Sequence, residues 1–265
     1  MMVALSFQTS SLYHARVGAF IHRSGLRQNR IKSGQRKRRD LEMDGMKTPV
    51  ALLLAHPDDE AFLAAALCRR LAERGEPAVL LTATRGDAGK RGSELAAALG
   101  RRLGEIREQE LADAAAILGI REVGHLGYPD GRLAAADERE AVERAAQWLA
   151  VRRPSTLVTF PPDGGNGHPD HRAISRIGTR LVRERRVPGL DRLVYIGSET
   201  LAQEGRKEAL ALDTKAVWPA KAAALAAHRS QRDTISAYFG DLSEAPEAWR
   251  FERFYLAWED GREWP

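Results

Sequence analysis

The stretch from residue 50 to residue 60 limits what this chain can fold into more than any other. An apolar run from Val50 to Ala55 is typical of a strand that is buried on both faces of a parallel sheet. Apolar residues then recur at helical spacing, at Phe62, Leu63, Leu67 and Leu71. The turn between the two patterns therefore lies at the carboxyl end of a strand, where open α/β sheets bind ligands.

The turn itself holds one histidine and three carboxylates, from His56 to Glu60, and no glycine, so it does not match a phosphate-binding loop. Imidazole and carboxylate groups are zinc ligands and general bases. A second loop of this kind, from Gly164 to His171, follows the apolar run from Thr156 to Phe160. Two such loops can converge on one face of a parallel sheet. Together they predict a mononuclear hydrolytic metal site rather than two ordinary polar turns.

Strand-like and helix-like patterns alternate along the rest of the chain, which predicts an α/β fold with a mostly parallel sheet. Further strands are predicted at 78–83, 123–126, 156–160, 193–196 and 249–258, and further helices at 104–118, 141–151, 173–185 and 215–232. No repeat or glycine/serine linker divides residues 46–265, so they are predicted to form a single domain.

The amino-terminal segment differs in composition from the rest of the chain. Residues 1–42 contain nine of the 41 Lys/Arg and two of the 36 Asp/Glu, which leaves 32 and 34 for residues 43–265. The basic excess thus belongs to the first segment, and no nucleic-acid partner is predicted for the body. Residues 1–45 are interpreted as a disordered extension or as a start codon assigned too early. A targeting peptide and a basic arm for anionic partners are the alternatives.

The only cysteine, Cys68, excludes an internal disulfide, and its place in a predicted helix indicates packing. No run approaches the roughly 20 apolar residues that a membrane-spanning helix needs. The lack of disulfides and of secretory features predicts a cytoplasmic protein. The sequence leaves a homo-oligomer open.

Two other loops at predicted strand ends contribute candidate substrate-binding residues. Arg85 begins a glycine-rich charged loop, which is either a flexible turn or a holder of an anionic or hydroxyl-rich group. Tyr128 and Asp130 are candidates to line the site, although Pro-Asp-Gly is also an ordinary turn sequence. His125 lies within an apolar strand and is interpreted as a hydrogen-bonded core histidine rather than a ligand.

The motifs His56-Pro57-Asp58-Asp59-Glu60 and His168-Pro169-Asp170-His171 resemble those of the LmbE/PIG-L family of zinc-dependent N-deacetylases. The resemblance covers most of residues 48–260. It extends to Thr84-Arg85-Gly86, Arg107, Glu110, Leu126-Gly127-Tyr128 and Ala227-His228-Arg229-Ser230-Gln231. It implies a Rossmann-like three-layer sandwich that binds no dinucleotide and removes an acetyl group from an N-acetylglucosamine conjugate. The bacillithiol-biosynthesis branch is the most similar, and this implies N-acetylglucosaminyl malate as the substrate.

The resemblance also implies a role for individual residues. His56, Asp59 and His171 would bind Zn²⁺, with Fe²⁺ or Co²⁺ as alternatives. Asp58 would be the general base, His168 would stabilise the oxyanion, and Asp170 would orient a histidine. Asn166, a candidate substrate-binding residue, stands where some relatives have a tyrosine that polarises the carbonyl.

Asp58, Glu60 and His228 each have a structural interpretation as well as a functional one. In an extended loop, neighbouring Asp58 and Asp59 would point apart, one to the metal and the other to the attacking water. Asp58 is alternatively a helix cap, and Glu60 is interpreted as capping the first helix through its dipole. His228 is interpreted either as core packing or as support for the substrate loop.

Two further functions compete with N-deacetylation. An amidase acting on a thiol-sugar conjugate would use the same site. A non-catalytic sugar-binding protein of the same fold would keep the pocket but lose the metal ligands. The presence of all three ligand candidates together with Asp58 argues against the second of these.

Overall fold

The computed structural model describes residues 49–88, 102–206 and 208–263. The predictions for residues 1–45, and for the glycine-rich loop beyond residue 88, lie outside these ranges. None of the helices in the described ranges combines the length and the apolar composition that crossing a bilayer requires.

One sheet contains the strands of the described residues. They are β1 (Val50–Leu54), β2 (Val79–Thr84), β3 (Glu122–Tyr128), β4 (Thr156–Thr159), β5 (Arg192–Ile196), β6 (Glu208–Asp213), β7 (Phe251–Glu259) and β8 (Arg262–Glu263). Their order is β3-β2-β1-β4-β5-β7-β6, and β8 pairs with β7. Strands β1 to β5 are parallel, whereas β7 runs antiparallel to β5, β6 and β8. The predicted α/β class with a mostly parallel sheet is confirmed.

Helices cover both faces of this sheet. They are α1 (Asp59–Leu63), α2 (Ala65–Glu73), α3 (Leu103–Leu118), α4 (Glu138–Arg152), α5 (Pro169–Arg183), α6 (Glu199–Gln203), α7 (Trp218–Ala227) and α8 (Arg232–Phe239). Helix α3 packs against α7, and α4 packs against α5. Because the strand order reverses between β1 and β4, right-handed crossovers put these two pairs on opposite faces. The result is the expected three-layer arrangement.

The reversal of strand order determines where the two acidic loops meet. Strands β1 and β4 pair in register from Val50 with Thr156 to Leu53 with Thr159. The Thr159 hydroxyl donates to the Leu53 carbonyl across 2.7 Å, which holds the two strand ends together. The loops that follow β1 and β4 therefore open side by side, at the position where open α/β sheets bind ligands.

A buried ion pair joins β7 to the first two helices. Lys221 Nζ lies 2.7 Å from Glu252 Oε1 and donates to the Phe62 carbonyl across 2.8 Å. The other Glu252 oxygen accepts from the backbone N–H groups of Ala66 and Leu67, at 2.9 and 3.3 Å. These contacts occupy the end of α1 and the start of α2. They give a physical reason why the helix predicted to run on from Phe62 is divided at Ala64.

The prediction of one helix over residues 215–232 is wrong. This region contains a 3₁₀ turn (Thr214–Val217), α7, a second 3₁₀ turn (Arg229–Gln231) and the start of α8. The Ser230 N–H and hydroxyl bind the two oxygens of Glu110 on α3, at 2.8 and 2.6 Å. This tertiary contact overrides the helical propensity of the segment. Strand β6 was not predicted.

Candidate metal centre

His56 follows β1 and lies at the centre of the cluster. Its Nε2 is 3.2 Å from Asp130 Oδ1 and 3.3 Å from Asp170 Oδ2. An Nε2–H that donates to these carboxylates leaves a lone pair on Nδ1. Burial lowers the pKa of His56, but the hydrogen bonds to Asp130 and Asp170 outweigh burial and raise it to about 10. The surroundings therefore favour a positive charge on the His56 ring, which a proton or a bound metal ion can supply.

His171 lies in the first turn of α5 and faces His56. Its Nδ1 is 3.1 Å from the Gly164 carbonyl, to which it donates, so the lone pair is on Nε2. The ring stacks on Phe160, with centroids 3.9 Å apart and planes 16° apart. Burial, followed by the repulsion from His56, lowers the pKa of His171 well below its usual value. The His171 ring is thus neutral, and the Gly164 carbonyl and the Phe160 ring hold it in place.

Asp59 begins α1 and is the third ligand candidate. Its Oδ2 accepts from the backbone N–H of Ala55 and of His56, at 3.1 and 2.8 Å. Burial raises the pKa of Asp59 to about 7, although His56 acts in the opposite direction. Both backbone contacts lie within four residues, so the turn itself sets the orientation of this carboxylate.

The three ligand candidates lie close together, but His56 and His171 approach different oxygens of Asp59. His56 Nδ1 is 3.2 Å from His171 Nε2 and 3.9 Å from Asp59 Oδ2, and His171 Nε2 is 3.5 Å from Asp59 Oδ1. A tetrahedral ion with bonds of about 2.0–2.2 Å separates its ligands by about 3.3–3.6 Å. With its pKa raised to about 10, His56 carries a proton on Nδ1 in the absence of metal and donates it to His171 Nε2, and a metal ion would replace this proton. The His56–His171 pair therefore fits a metal ion, and Asp59 would complete the set by turning one oxygen towards both rings.

In the described residues, two overlapping groups of side chains have their ligand atoms within 4.8 Å of one another: His56 with His168 and His171, and His56 with Asp130 and Asp170. Asp59 belongs to neither group. In the second group, Asp170 already accepts from the backbone N–H of Gly131 and Leu133, at 2.7 and 3.1 Å. Its remaining contact is the N–H of His56, which suits an orienting carboxylate better than a ligand.

His168 lies beside the two facing rings, with its centroid 4.8 Å from that of His56 and 4.9 Å from that of His171. It caps α5, since its Nδ1 accepts from the Asp170 N–H across 3.1 Å. A neutral His168 therefore carries its proton on Nε2. The Asn166 side-chain oxygen accepts from the His168 N–H across 2.9 Å, and its predicted substrate contact stays a prediction.

Asp58 has an unusual backbone, with φ 121° and ψ −29°. A side chain in such a conformation costs about 1–3 kcal/mol unless the surroundings impose it. The Asp58 side chain forms no capping hydrogen bond, so the capping alternative is wrong. The backbone at Asp58 is not extended either, so the expected alternation of the Asp58 and Asp59 side chains does not apply here. Burial raises the pKa of Asp58 to about 6, and His228 and Arg107 act in the opposite direction.

Glu60 is completely buried. The expected interaction with the helix dipole is therefore only part of its structural role. One oxygen accepts from the Asp58 N–H across 3.0 Å, and the other lies 2.6 Å from His228 Nε2. Burial lowers the pKa of His228, but the Glu60 carboxylate outweighs this effect and raises it. His228 therefore contacts the turn that carries Asp58.

The other predicted substrate-binding residues differ in their distance from the cluster. Asp130 belongs to it, and its second oxygen accepts from the Ala88 N–H across 3.2 Å. Arg85 donates to Glu108 across 2.8 Å, and Tyr128 lies under the Arg144 guanidinium, 5.0 Å from it. In the described residues, neither hydrogen-bonds to the three ligand candidates, and their role stays a prediction. His125 contacts the Thr82 hydroxyl across 2.7 Å.

Two contacts near Asp58 were missed because no local pattern indicates them. Gln231 Nε2 donates to the Pro57 carbonyl across 2.9 Å. Arg107 is 4% exposed, and a Cβ at Gly86 would come within 2.6 Å of its Nη1, so this position requires glycine. Gln231 and Arg107 both lie in segments that carry the family resemblance. This resemblance is the sequence signal that could have indicated their contacts.

Comparisons with known proteins agree with this geometry. The family model described as PIG-L, GlcNAc-PI de-N-acetylase, matches residues 51–182. A probable N-acetyl-α-D-glucosaminyl L-malate deacetylase 2 of Bacillus cereus is 31% identical over 194 residues, which are 72% of this chain and 86% of the relative. A 1D-myo-inositol 2-acetamido-2-deoxy-α-D-glucopyranoside deacetylase of Kineococcus radiotolerans is 39% identical over 154 residues, 48% of this chain and 43% of the relative.

Among solved structures, N,N'-diacetylchitobiose deacetylase from Pyrococcus horikoshii has the same fold. The TM-score is 0.64 at 19% identity, over 82% of this chain and 86% of that chain. Deacetylases of this family are metal-dependent, and the cluster around His56 agrees with that dependence. The resemblance seen in the two acidic motifs is confirmed: the chain belongs to the PIG-L/LmbE family of N-deacetylases, enzymes that hydrolyse amide bonds.

Proposed function

We propose that this protein is a Zn²⁺-dependent hydrolase that removes the acetyl group from an N-acetylglucosamine conjugate. The observation that carries the proposal is the pair of imidazole nitrogens of His56 and His171, 3.2 Å apart, with the Asp59 carboxylate beside them. N-acetylglucosaminyl malate is the first substrate to test, because the Bacillus cereus relative is matched over 86% of its length.

His56, Asp59 and His171 would hold the ion. Two nitrogens and one carboxylate favour Zn²⁺, with Fe²⁺ and Co²⁺ as the alternatives. When bound, Zn²⁺ supplies Lewis acidity that polarises the acetyl carbonyl and acidifies the attacking water.

The chain's own residues perform the proton transfers. Asp58, with a pKa of about 6, is ionised at neutral pH and takes the proton of the attacking water. It then passes the proton to the departing sugar amine. The Nε2–H of His168 donates to the tetrahedral oxyanion, and Asp170 holds the Nε2–H of His56. Arg85, Tyr128, Asp130 and Asn166 are the proposed substrate contacts.

The test is release of free amine from N-acetylglucosaminyl malate and from N-acetylglucosaminyl inositol. The full chain is assayed after chelation and after addition of Zn²⁺, Fe²⁺ or Co²⁺ in turn. Metal-dependent release from malate is the expected result, and release from inositol alone would move the substrate to that conjugate. Release from neither compound by protein with bound metal would overturn the proposed substrate class.

The two competing functions give different results in the same experiment. An amidase would cleave a thiol-sugar conjugate and leave both N-acetylated sugars intact. A sugar-binding protein would bind the conjugates without turnover. The pKa of Asp58, raised to about 6 by burial, suits a general base and favours hydrolysis over binding alone.

A further inference from the structure

The Pro57–Asp58 peptide unit is held at both of its polar ends. The carbonyl of Pro57 accepts from Gln231 Nε2 across 2.9 Å. The N–H of Asp58 donates to Glu60 Oε2 across 3.0 Å. On the other side of the residue, the Asp58 carbonyl accepts from the N–H groups of Ala61 and Phe62, at 2.9 and 3.0 Å. Holding the backbone on both sides fixes φ of Asp58, the rotation about its N–Cα bond, and so the direction of its Cα–Cβ bond.

Both holding contacts depend on one distant segment, the turn from His228 to Gln231. His228 Nε2 lies 2.6 Å from the second oxygen of Glu60, and both side chains are fully buried. Gln231 is 174 residues from the carbonyl that it binds. Ser230 fastens the turn to α3 through two hydrogen bonds to Glu110. The turn is therefore anchored independently of the site loop.

The Asp58 backbone needs such a restraint. A non-glycine residue at φ 121° relaxes to a negative φ unless its surroundings prevent it. Relaxation to a negative φ would move the Asp58 carboxylate away from its present position. The contacts of Asp59 are separate, since its carboxylate is held by the N–H groups of Ala55 and His56. Loss of the restraint would thus move Asp58 and leave Asp59 in place.

We infer that Gln231 and His228 are positioning residues: they clamp the Pro57–Asp58 peptide so that the Asp58 carboxylate faces the reacting water. The inference rests on the proposed deacetylation, in which Asp58 acts as the general base. Gln231 and His228 act through the peptide plane and not on the substrate. The metal ligands do not depend on them.

Gln231→Met is the variant that tests the clamp, since it keeps the side-chain volume and removes the donor. We expect kcat to fall about 10- to 100-fold, the effect of a displacement of about 1 Å, with KM and bound metal unchanged and Tm lowered by only about 2–4 °C. Arg229→Ala is the matched control, because Arg229 is an exposed residue of the same turn. His228→Gln keeps a donor for Glu60 and should lose less activity than His228→Met.

A double-mutant cycle separates positioning from a general structural effect. In the Asp58→Asn background there is no base to position, so Gln231→Met should change the residual rate less than about twofold. An equal loss of rate in both backgrounds, or a parallel loss of bound metal, would overturn the inference.

Amide hydrogen exchange tests the clamp without any turnover. The Asp58 N–H should exchange at least about 10-fold faster in Gln231→Met than in the unmodified protein, whereas the N–H of His56 should not change. If the unmodified protein releases no amine, the proposed function fails while this measurement still decides the clamp. Unchanged exchange at Asp58 would refute it.

Discussion

The loops that follow β1 and β4 both carry metal-ligand candidates, but they are stabilised in different ways. The β4 loop, residues 160–168, is held by its own neighbours: Asn166 binds the His168 N–H, and Gly164 binds the His171 ring. The β1 loop, residues 55–58, is held partly by a turn that lies more than 160 residues away. Asp59 is fixed by local contacts, whereas the distant turn holds the peptide that precedes Asp58. We therefore expect the proposed metal binding and the proposed base positioning to be separable.

Removing His171, the proposed ligand in the first turn of α5 directly after the β4 loop, should have the largest effect. His171→Ala is expected to lower metal affinity by more than about 100-fold, which exceeds the usual cost of an orienting residue. Turnover should fall below detection. Metal analysis and amine release measure the two losses, and His125→Gln serves as the histidine control outside the cluster. Full metal content in His171→Ala would show that the ligand set is wrong.

Removing the base from the β1 loop should separate the two properties. Asp58→Asn keeps the size of the side chain, so bound metal should stay at the unmodified level. Without a general base, kcat should fall by about 10²- to 10⁴-fold. A loss of metal in this variant would contradict the separation, and undiminished turnover would remove Asp58 as the base.

The dependence of kcat/KM on pH gives a second test of the role proposed for Asp58. The base works when ionised, and its pKa is raised to about 6, so kcat/KM should fall about 10-fold per pH unit below that value. Asp58→Asn should lack this acid limb in its residual rate. A limb that persists in Asp58→Asn would assign the titration to another group. A limb near pH 4 would mean that burial does not shift Asp58.

The smallest effect is expected from the local support of the β4 loop. Asn166→Ala removes the acceptor for the His168 N–H, a contact worth about 1 kcal/mol, and should lower kcat less than about 10-fold. Combined with Gln231→Met, the two losses should add in free energy, because the loops are held separately. A coupling above about 1 kcal/mol would show that the loops are linked.

The sequence predicted the elements whose signals are local. Strand β1 reads as buried on both faces, and Val50 to Leu54 are at most 2% exposed. The edge strand β6 was missed because only two of its six residues are buried, which leaves a weak apolar pattern. The break between α7 and α8 was missed because Glu110, on another helix, imposes it.

The same distinction applies to the site. The two histidine–acid motifs predicted where the donors would meet, since parallel strand ends share an edge of the sheet. The twisted backbone of Asp58 was not predictable from its neighbours, because its restraint comes from Gln231 and from Glu60 with His228. Long-range hydrogen bonds leave no periodic trace in a sequence.

The position of β7 has a consequence for the newly made chain. This strand, residues 251–259, lies between β5 and β6 although it follows both in the sequence. Until it leaves the ribosome, β5 has an open edge that is exposed to pairing with other chains. Both loops with ligand candidates also precede the turn at 228–231, so the proposed metal ligands are synthesised before the residues that hold the Pro57–Asp58 peptide.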